Sequence, residues 1–248
     1  MPVTRRDLLG QAARLAGAAA LGLEAARGDS SAGRKLKVMV TGGHPGDPEY
    51  GCGGTIARYA DQGHDVVLLY LNRGEKSCPE TAADAAGNVR VGEAKRACEI
   101  LRARPLFAGQ CDGHAVVDAA HYREFRDLID AERPDVLFTH WPIDGHRDHR
   151  AISMLAYDAW LATGKQFAFY YYEVSDGEDT LMFAPTDWVD ITATEARKRM
   201  ACYAHASQAP DKFYALQSQV TRFRGVESSY PQAEAYIRHA QSRARLLP

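Results

Sequence analysis

Short apolar segments alternate with segments of helical periodicity over most of this chain. Apolar runs lie at 36–43, 64–72, 105–109 and 135–140, and the run at 64–72 is apolar on both faces. A strand that is apolar on both faces is typical of the centre of a parallel sheet. Strands that alternate with helices predict right-handed βαβ units. We therefore expect an α/β fold with a mostly parallel sheet and helices on both faces.

Helices are predicted between and after these strands, and two further strands follow the fourth. The predicted helices are 53–62, 89–102, 122–131, 151–162 and 194–206, the further strands are 167–174 and 188–192, and 78–88 is predicted to be a loop. Tyr170, Tyr171 and Tyr172 fall in one of these strands, so burial is favoured over a sugar-stacking role. In such a sheet, ligands bind at the carboxyl ends of the strands.

Composition excludes several function classes. Lys and Arg number 30 against 32 Asp and Glu, so no basic excess exists to bind nucleic acid. The mean hydropathy is −0.37, and no apolar run reaches the length of a membrane span. The five cysteines are odd in number and form no C-x-x-C pair. We expect neither a disulfide framework nor a structural zinc knuckle, and at least one thiol must be free in a monomer.

The first 33 residues predict an export signal. Arg5 and Arg6 precede a moderately apolar run at 12–26, and this order resembles a twin-arginine signal. The alternative is an amphipathic helix packed on the domain. The signal would make the twin-arginine export machinery a partner, place the protein in the periplasm or outside the cell, and leave no transmembrane span in the mature protein. Residues 1–33 are then signal and linker, and residues 34–248 are the functional domain.

Polar residues that can bind a metal follow two of the predicted strands. His44 and Asp47 lie in a predicted loop after the first strand, and His149 follows the fourth. Two imidazoles and one carboxylate bind Zn²⁺ with an open position, although the same set also suits Fe²⁺ or another divalent metal. A histidine at a strand end can also be an ordinary surface or hydrogen-bonded residue.

Four sequence motifs carry a resemblance to a known family. They are HPGDPEYGCGGT, VRVGEAKRACEIL, GHRDHR and VDITATEARKRMACYAHASQ. In this order they resemble the motifs of the PIG-L/LmbE zinc deacetylases, from about Leu36 to the end of the chain. The resemblance implies a Rossmann-like three-layer sandwich. It also implies a zinc-dependent amidohydrolase that removes an acyl group, such as acetyl, from an N-acylated amino sugar.

The resemblance also assigns roles by position. It implies that His44, Asp47 and His149 are the zinc ligands. His146 would be a protonated histidine that stabilises the oxyanion and gives a proton to the leaving amine, and Asp148 would orient it. Two further residues, Arg73 and Glu75, would line the substrate mouth, although an exposed ion pair explains them equally well.

Gly46 departs from the family pattern. The family has an aspartate at this position as the general base, and glycine cannot accept a proton. Loss of a positioned base typically costs about 10²–10⁴ in rate. Three alternatives stay open at this point. Glu49 or Asp144 replaces the base, the scaffold is a metal-dependent hydratase of an unsaturated acid, or the protein is a sugar-binding pseudoenzyme.

Overall fold

Seven strands form one sheet in the computed structural model, which describes residues 34–75, 82–175, 180–242 and 244–248. In chain order the strands are β1 (Lys37–Gly42), β2 (Asp65–Tyr70), β3 (Arg104–Phe107), β4 (Val136–His140), β5 (Ala168–Tyr172), β6 (Asp187–Asp190) and β7 (Ala233–Arg238). Their spatial order is β3-β2-β1-β4-β5-β7-β6. β1 to β5 run parallel, and β7 runs antiparallel to both β5 and β6.

Helices cover both faces of this sheet. They are α1 (Asp47–Asp61), α2 (Ala82–Leu101), α3 (Ala119–Glu132), α4 (Arg147–Ala162), α5 (Glu195–Tyr203) and α6 (Pro210–Ser228). One apolar core joins the sheet to α1, α2 and α5, and a second joins its other face to α3 and α4. The predicted three-layer α/β fold with a mostly parallel sheet is confirmed. Within the described ranges, no helix is long and apolar enough to span a membrane.

The C-terminal part of the sheet differs from the prediction. Helix α6 and strand β7 were not predicted. Strand β7 has no long apolar run that would indicate a strand. Tyr236 of β7 pairs with Tyr172 of β5, and this pairing extends the sheet beyond its parallel part. Tyr170 and Tyr172 are fully buried and Tyr171 is nearly so, which agrees with a strand and excludes a sugar platform.

Four helices begin earlier than predicted, among them α3, which begins at Ala119 instead of residue 122. α1 begins at Asp47 instead of residue 53, and α4 begins at Arg147 instead of residue 151. α2 begins at Ala82, inside the predicted loop at 78–88. At α1, a proline in the first turn and the side chain of Glu49 support the early start, since the Glu49 carboxylate accepts the Gly46 N–H at 3.1 Å. Asp47 therefore lies on the first turn of a helix and not in a loop.

Among the described cysteines, three have a free thiol and one is in a disulfide bond. Cys52, Cys98 and Cys202 are buried free thiols, which confirms that at least one thiol is free. Cys111 is disulfide-bonded, which the cysteine spacing did not predict. The remaining cysteine, Cys78, and the export-signal prediction for residues 1–33 both lie outside the described residues.

Candidate metal centre

The three predicted metal ligands lie close together, and the two histidines both approach one carboxylate oxygen of Asp47. His44 follows β1, Asp47 opens α1, and His149 lies on the first turn of α4, at the same end of the sheet. Oδ2 of Asp47 lies 3.4 Å from Nδ1 of His44 and 3.2 Å from Nε2 of His149. All three residues are largely buried. The parallel β1 and β4 are neighbours, so residues separated by about 100 positions in the chain meet at their carboxyl ends.

The other ring nitrogen of each histidine is held by a carboxylate. Nε2 of His44 donates to Oδ2 of Asp148 at 3.2 Å, and Nδ1 of His149 donates to Oδ1 of Asp144 at 3.1 Å. A metal-binding histidine usually donates its second N–H in this way, which fixes its tautomer and orientation. The nitrogens left to bind a cation are then the two that face Asp47. Among the described residues, the sets whose donor atoms all lie within 4.8 Å of one another and could hold a metal ion are His44 with His146 and His149, Asp47 with His140 and His149, and His44 with Asp112 and Asp148.

His140 joins this cluster, although the sequence analysis missed it. It is the last residue of β4, and its Nε2 lies 3.2 Å from Oδ2 of Asp47. Its ring stacks on that of His149, with centroids 3.9 Å apart. Burial and the neighbouring His149 lower the pKa of His140 to about 4. At this pKa the His140 ring is neutral at pH 7. Its position at the carboxyl end of a predicted strand was the one available signal.

The ionisable groups of the cluster influence one another strongly. Burial opposes protonation of His149, but Asp47 and Asp144 outweigh it and raise its pKa to about 9. Burial likewise opposes ionisation of Asp47, but its contacts with His149, His140 and His44 hold its pKa well below the usual value. Asp47 is therefore a carboxylate, and the cluster offers the negative charge that a divalent cation requires.

His146 lies beside the predicted ligands, but Asp148 does not orient it as expected. Its ring centroid is 4.6 Å from that of His44 and 4.8 Å from that of His149. The Asp148 carboxylate contacts His44, and only the backbone N–H of Asp148 donates to Nδ1 of His146, at 3.2 Å. The pKa of His146 is lowered by burial and then by His44 and His149. These contacts do not supply the protonated His146 that the resemblance implies.

A cavity of about 410 Å³ opens onto this cluster. This volume falls in the range of small-molecule sites, about 300–1,000 Å³. The described residues that line it are His44, Pro45, Gly46, Asp47, Tyr50, Arg90, Asp112, His146, His149, Val174, His205, Gln208 and Phe213.

Glu49 and Asp144 do not take the position of a general base. Glu49 is fully buried, and its carboxylate accepts from Tyr70 Oη at 2.7 Å, from His205 Nε2 at 3.0 Å and from the Gly46 N–H. Asp144 accepts from His149 and from Thr180 Oγ1. Neither carboxylate is among the lining residues. In this structure these two carboxylates hold the Gly46 loop and the His149 ring in place, and the identity of a general base stays a prediction.

Arg73 and Glu75, the residues expected at the substrate mouth, contact each other in this structure. The backbone N–H of Arg73 donates to the Glu75 carboxylate at 3.0 Å, and neither residue is among the described lining residues. Arg90 and Asp112 line the cavity instead. Nη2 of Arg90 donates to the carbonyl of Pro45 at 2.6 Å, and Oδ1 of Asp112 lies 3.1 Å from Nε2 of His44. Arg90 belongs to the VRVGEAKRACEIL motif, but its direction toward the metal loop depends on the tertiary fold.

The C-terminal motif closes the same cavity. His205 is fully buried against Glu49, and Gln208 lines the cavity. Ser207 connects this segment to α2, because its N–H and its hydroxyl both donate to the Glu93 carboxylate, at 2.7 and 2.8 Å. All four sequence motifs therefore meet around one site.

The fold and the site place the chain in the class of α/β proteins with a candidate metal centre at the carboxyl end of a parallel sheet. Residues 39–160 match the PIG-L family, which is described as GlcNAc-PI de-N-acetylase. The chain is 29% identical to the diacetylchitobiose deacetylase of Thermococcus kodakarensis, over 73% of each chain. It is 32% identical to the 1D-myo-inositol 2-acetamido-2-deoxy-alpha-D-glucopyranoside deacetylase of Mycobacteroides abscessus, over 46% of this chain and 51% of the relative.

Solved structures share the fold. A conserved protein of Thermus thermophilus superposes with a TM-score of 0.72 and 27% identity, over 85% of this chain and 97% of that chain. A 4-carboxy-2-hydroxymuconate hydratase of Pseudomonas putida also superposes with a TM-score of 0.72, at 21% identity, over 86% of this chain and all of that chain. The similarity to the PIG-L family model thus covers about half of the chain.

Proposed function

We propose that this protein is a metal-dependent amidohydrolase that removes an acyl group, such as acetyl, from an N-acylated amino sugar. One observation carries the proposal. Nδ1 of His44 and Nε2 of His149 both face Asp47, while carboxylates hold their opposite nitrogens. The named deacetylases among the relatives support the reaction class. We propose Zn²⁺ as the metal, because two imidazoles and one carboxylate are a common catalytic zinc set.

The chain's own groups suit amide hydrolysis. His44, Asp47 and His149 would hold a divalent metal, and such a metal would supply a Lewis acid for the amide carbonyl and lower the pKa of water at neutral pH. Nδ1 of His146 accepts the N–H of Asp148, so in a neutral imidazole the hydrogen is on Nε2. His146 lines the cavity and can donate this hydrogen to the oxygen on which negative charge develops.

The substrate is proposed to be a polar but nearly neutral molecule. Arg90 and Asp112 offer one cation and one anion to the cavity, and Gln208 offers an amide. These side chains offer hydrogen-bond donors as well as acceptors, and a sugar hydroxyl can bond to either. We propose that these three side chains bind the sugar ring while the amide carbonyl faces the metal ligands.

A hydratase of an unsaturated acid is the second candidate, and Gly46 is the observation that favours it. A substrate like 4-carboxy-2-hydroxymuconate, which the similar hydratase is named for, carries three carboxylates, and each of them needs a cationic partner when it is buried. Arg90 is the one Lys or Arg among the described lining residues, and the cavity also contains Asp112. This balance of charge favours a sugar amide.

The two functions are separated by direct assay. We expect zinc-loaded protein to release acetate from N-acetylglucosamine derivatives, and the His44→Ala/His149→Ala double variant to release none. A hydratase would instead remove the absorbance of a conjugated unsaturated acid and leave the amides intact. Protein that binds the sugar without either reaction would support the pseudoenzyme alternative.

We also propose that the protein is exported by the twin-arginine route to the periplasm or the cell exterior. The proposal rests on Arg5, Arg6 and the weakly apolar run behind them. The twin-arginine machinery would then be a transient partner of the precursor.

A further inference from the structure

The ring of His140 is fixed against the predicted metal ligands by its neighbours. His140 is fully buried, and its ring stacks on that of His149 with centroids 3.9 Å apart and an angle of 12° between the planes. The ring of Tyr172 also lies against it, with centroids 4.7 Å apart. The backbone carbonyl of His140 accepts a hydrogen bond from Oγ of Ser153 at 2.8 Å. Both the main chain and the ring of this residue are therefore held in place.

Three imidazole nitrogens contact the same oxygen, Oδ2 of Asp47. Nε2 of His140 and Nε2 of His149 each lie 3.2 Å from it, and Nδ1 of His44 lies 3.4 Å from it. Two ligand atoms with bonds of about 2.0–2.1 Å to a tetrahedral zinc ion lie roughly 3.3–3.4 Å apart. The separations of His140 and of the two predicted histidine ligands from Asp47 are therefore all those expected between ligands of one ion.

Each of these three nitrogens lacks a hydrogen when its ring is neutral. In His44 and His149 the hydrogen is on the opposite nitrogen, which donates to a carboxylate. In His140 the tautomer follows from Gly43, whose buried N–H donates to Nε2 at 3.2 Å, so the hydrogen of the neutral ring is on Nδ1. Lone pairs of three nitrogens and of one carboxylate oxygen then face one another, which is unfavourable without a positive charge between them.

Hydrogen bonds alone do not satisfy this arrangement. Oδ2 of Asp47 already accepts the N–H of His44 at 2.7 Å, so it has few lone-pair sites left for three more donors. A hydrogen on Nε2 of His140 would oppose the N–H of Gly43 and remove its acceptor. Within the described ranges Nδ1 of His140 has no hydrogen-bond partner that would favour this other tautomer. A divalent cation suits all four atoms, because it binds lone pairs of imidazole and of carboxylate alike.

We propose that His140 is a fourth protein ligand of the divalent metal, together with His44, Asp47 and His149. The inference rests on the metal dependence of the proposed function, and it adds a ligand that the family resemblance does not imply. Asp47, His140 and His149 form one of the sets whose donor atoms lie within 4.8 Å of one another. His140 is not among the described lining residues, so this ligand leaves the cavity to water and substrate.

X-ray absorption at the zinc edge tests the assignment on the wild-type full chain, without any substrate. The spectrum of the protein with one equivalent of zinc should be fitted by three imidazole ligands, from His44, His140 and His149. If His140 only orients Asp47, the same spectrum requires the other two imidazoles alone.

Zinc affinity of variants is the second measurement. His140→Ala should lower the affinity by more than about 100-fold, because a residue that only orients a ligand typically accounts for about 10- to 100-fold. His140→Gln supplies a hydrogen-bond donor for Asp47 but no imidazole, and it should lose the affinity to the same extent. His239→Ala is the control, since its ring packs on Trp160 with centroids 4.5 Å apart and belongs to none of the candidate metal sets of the described residues.

The wild-type spectrum decides the question even if a variant at this buried position does not fold. Circular dichroism and thermal unfolding of the metal-free variants show which of them keep the fold. Two imidazoles in the wild-type spectrum, or wild-type zinc affinity in a folded His140→Gln, would overturn ligation by His140 and leave the other three ligands intact. A wild type that binds no zinc would instead overturn the metal-dependent function itself.

Discussion

Nε2 of His44 donates a hydrogen bond to Oδ2 of Asp148 at 3.2 Å, between residues 104 positions apart in the chain. The same oxygen also accepts from Nδ2 of Asn72 at 3.1 Å and from the N–H of Gly113 at 2.7 Å, so the carboxylate is held in place. The contact with His44 directs Nδ1 of that ring toward Asp47. Asp148 of the GHRDHR motif therefore orients His44, a predicted ligand from the HPGDPEYGCGGT motif.

The first prediction concerns this contact. Asp148→Asn should weaken metal binding about 10- to 100-fold, the usual effect of removing the carboxylate behind a metal-binding histidine. Competition with a chromogenic chelator measures the affinity. Asp130→Asn, at an exposed carboxylate on α3, is the control and should leave the affinity unchanged. Equal affinities in the two variants would mean that Asp148 does not orient a ligand.

The second prediction concerns the ligand set. His44→Ala/His149→Ala should bind no stoichiometric metal, because only Asp47 of the three predicted ligands remains. Metal analysis of the folded, dialysed protein is the measurement, with circular dichroism to show that the fold is kept. One equivalent of metal in this variant would place the site elsewhere, for example on His140 and its neighbours.

The third prediction concerns His146. His146→Ala should lower kcat about 10²- to 10³-fold, as is typical when a donor to a developing oxyanion is removed. Its metal content should stay at the wild-type level, since its Nδ1 is occupied by the Asp148 N–H. A variant that loses metal along with activity would show that His146 is itself a ligand.

The fourth prediction concerns Glu49. Glu49→Gln should retain amide hydrolysis, because Glu49 does not line the cavity. It should instead destabilise the fold by about 1–3 kcal/mol, since an amide group cannot accept all the bonds from Tyr70, His205 and Gly46 that the buried carboxylate accepts. Chemical denaturation and glucosamine release are measured on the same preparation. Complete loss of activity at wild-type stability would restore Glu49 as the general base.

The fifth prediction concerns export. Arg5→Lys/Arg6→Lys should trap the precursor in the cytoplasm, because the export receptor reads the paired arginines and not their charge alone. Cell fractionation followed by immunoblotting measures the distribution. A matched Arg14→Lys variant in the apolar run should be exported like the wild type. Unchanged export of the twin-arginine variant would mean that residues 1–33 are not such a signal.

Periodicity predicted the parallel core well and the C-terminal part of the sheet poorly. β1, β2 and β4 are apolar on both faces because they lie in the middle of the sheet, so their burial is visible in the sequence. β7 shows no such run, because it owes its place to pairing with β5 and β6. Early helix starts at Asp47 and Arg147 were missed, since glycine and proline suggest a loop when the capping contacts are unknown.

The α/β fold class follows from the sequence, and so does the location of His44, Asp47, His146 and His149 at two strand ends. Residue type and spacing are enough for this, because parallel strands bring their carboxyl ends together. The carboxylate that contacts each histidine is known only from the folded chain. Asp148 pairs with His44, Asp144 pairs with His149, and Glu49 is withdrawn from the cavity. Hydrogen bonds between segments distant in the sequence fix these contacts. The spacing of a motif gives neither the burial of a side chain nor its hydrogen-bond partner.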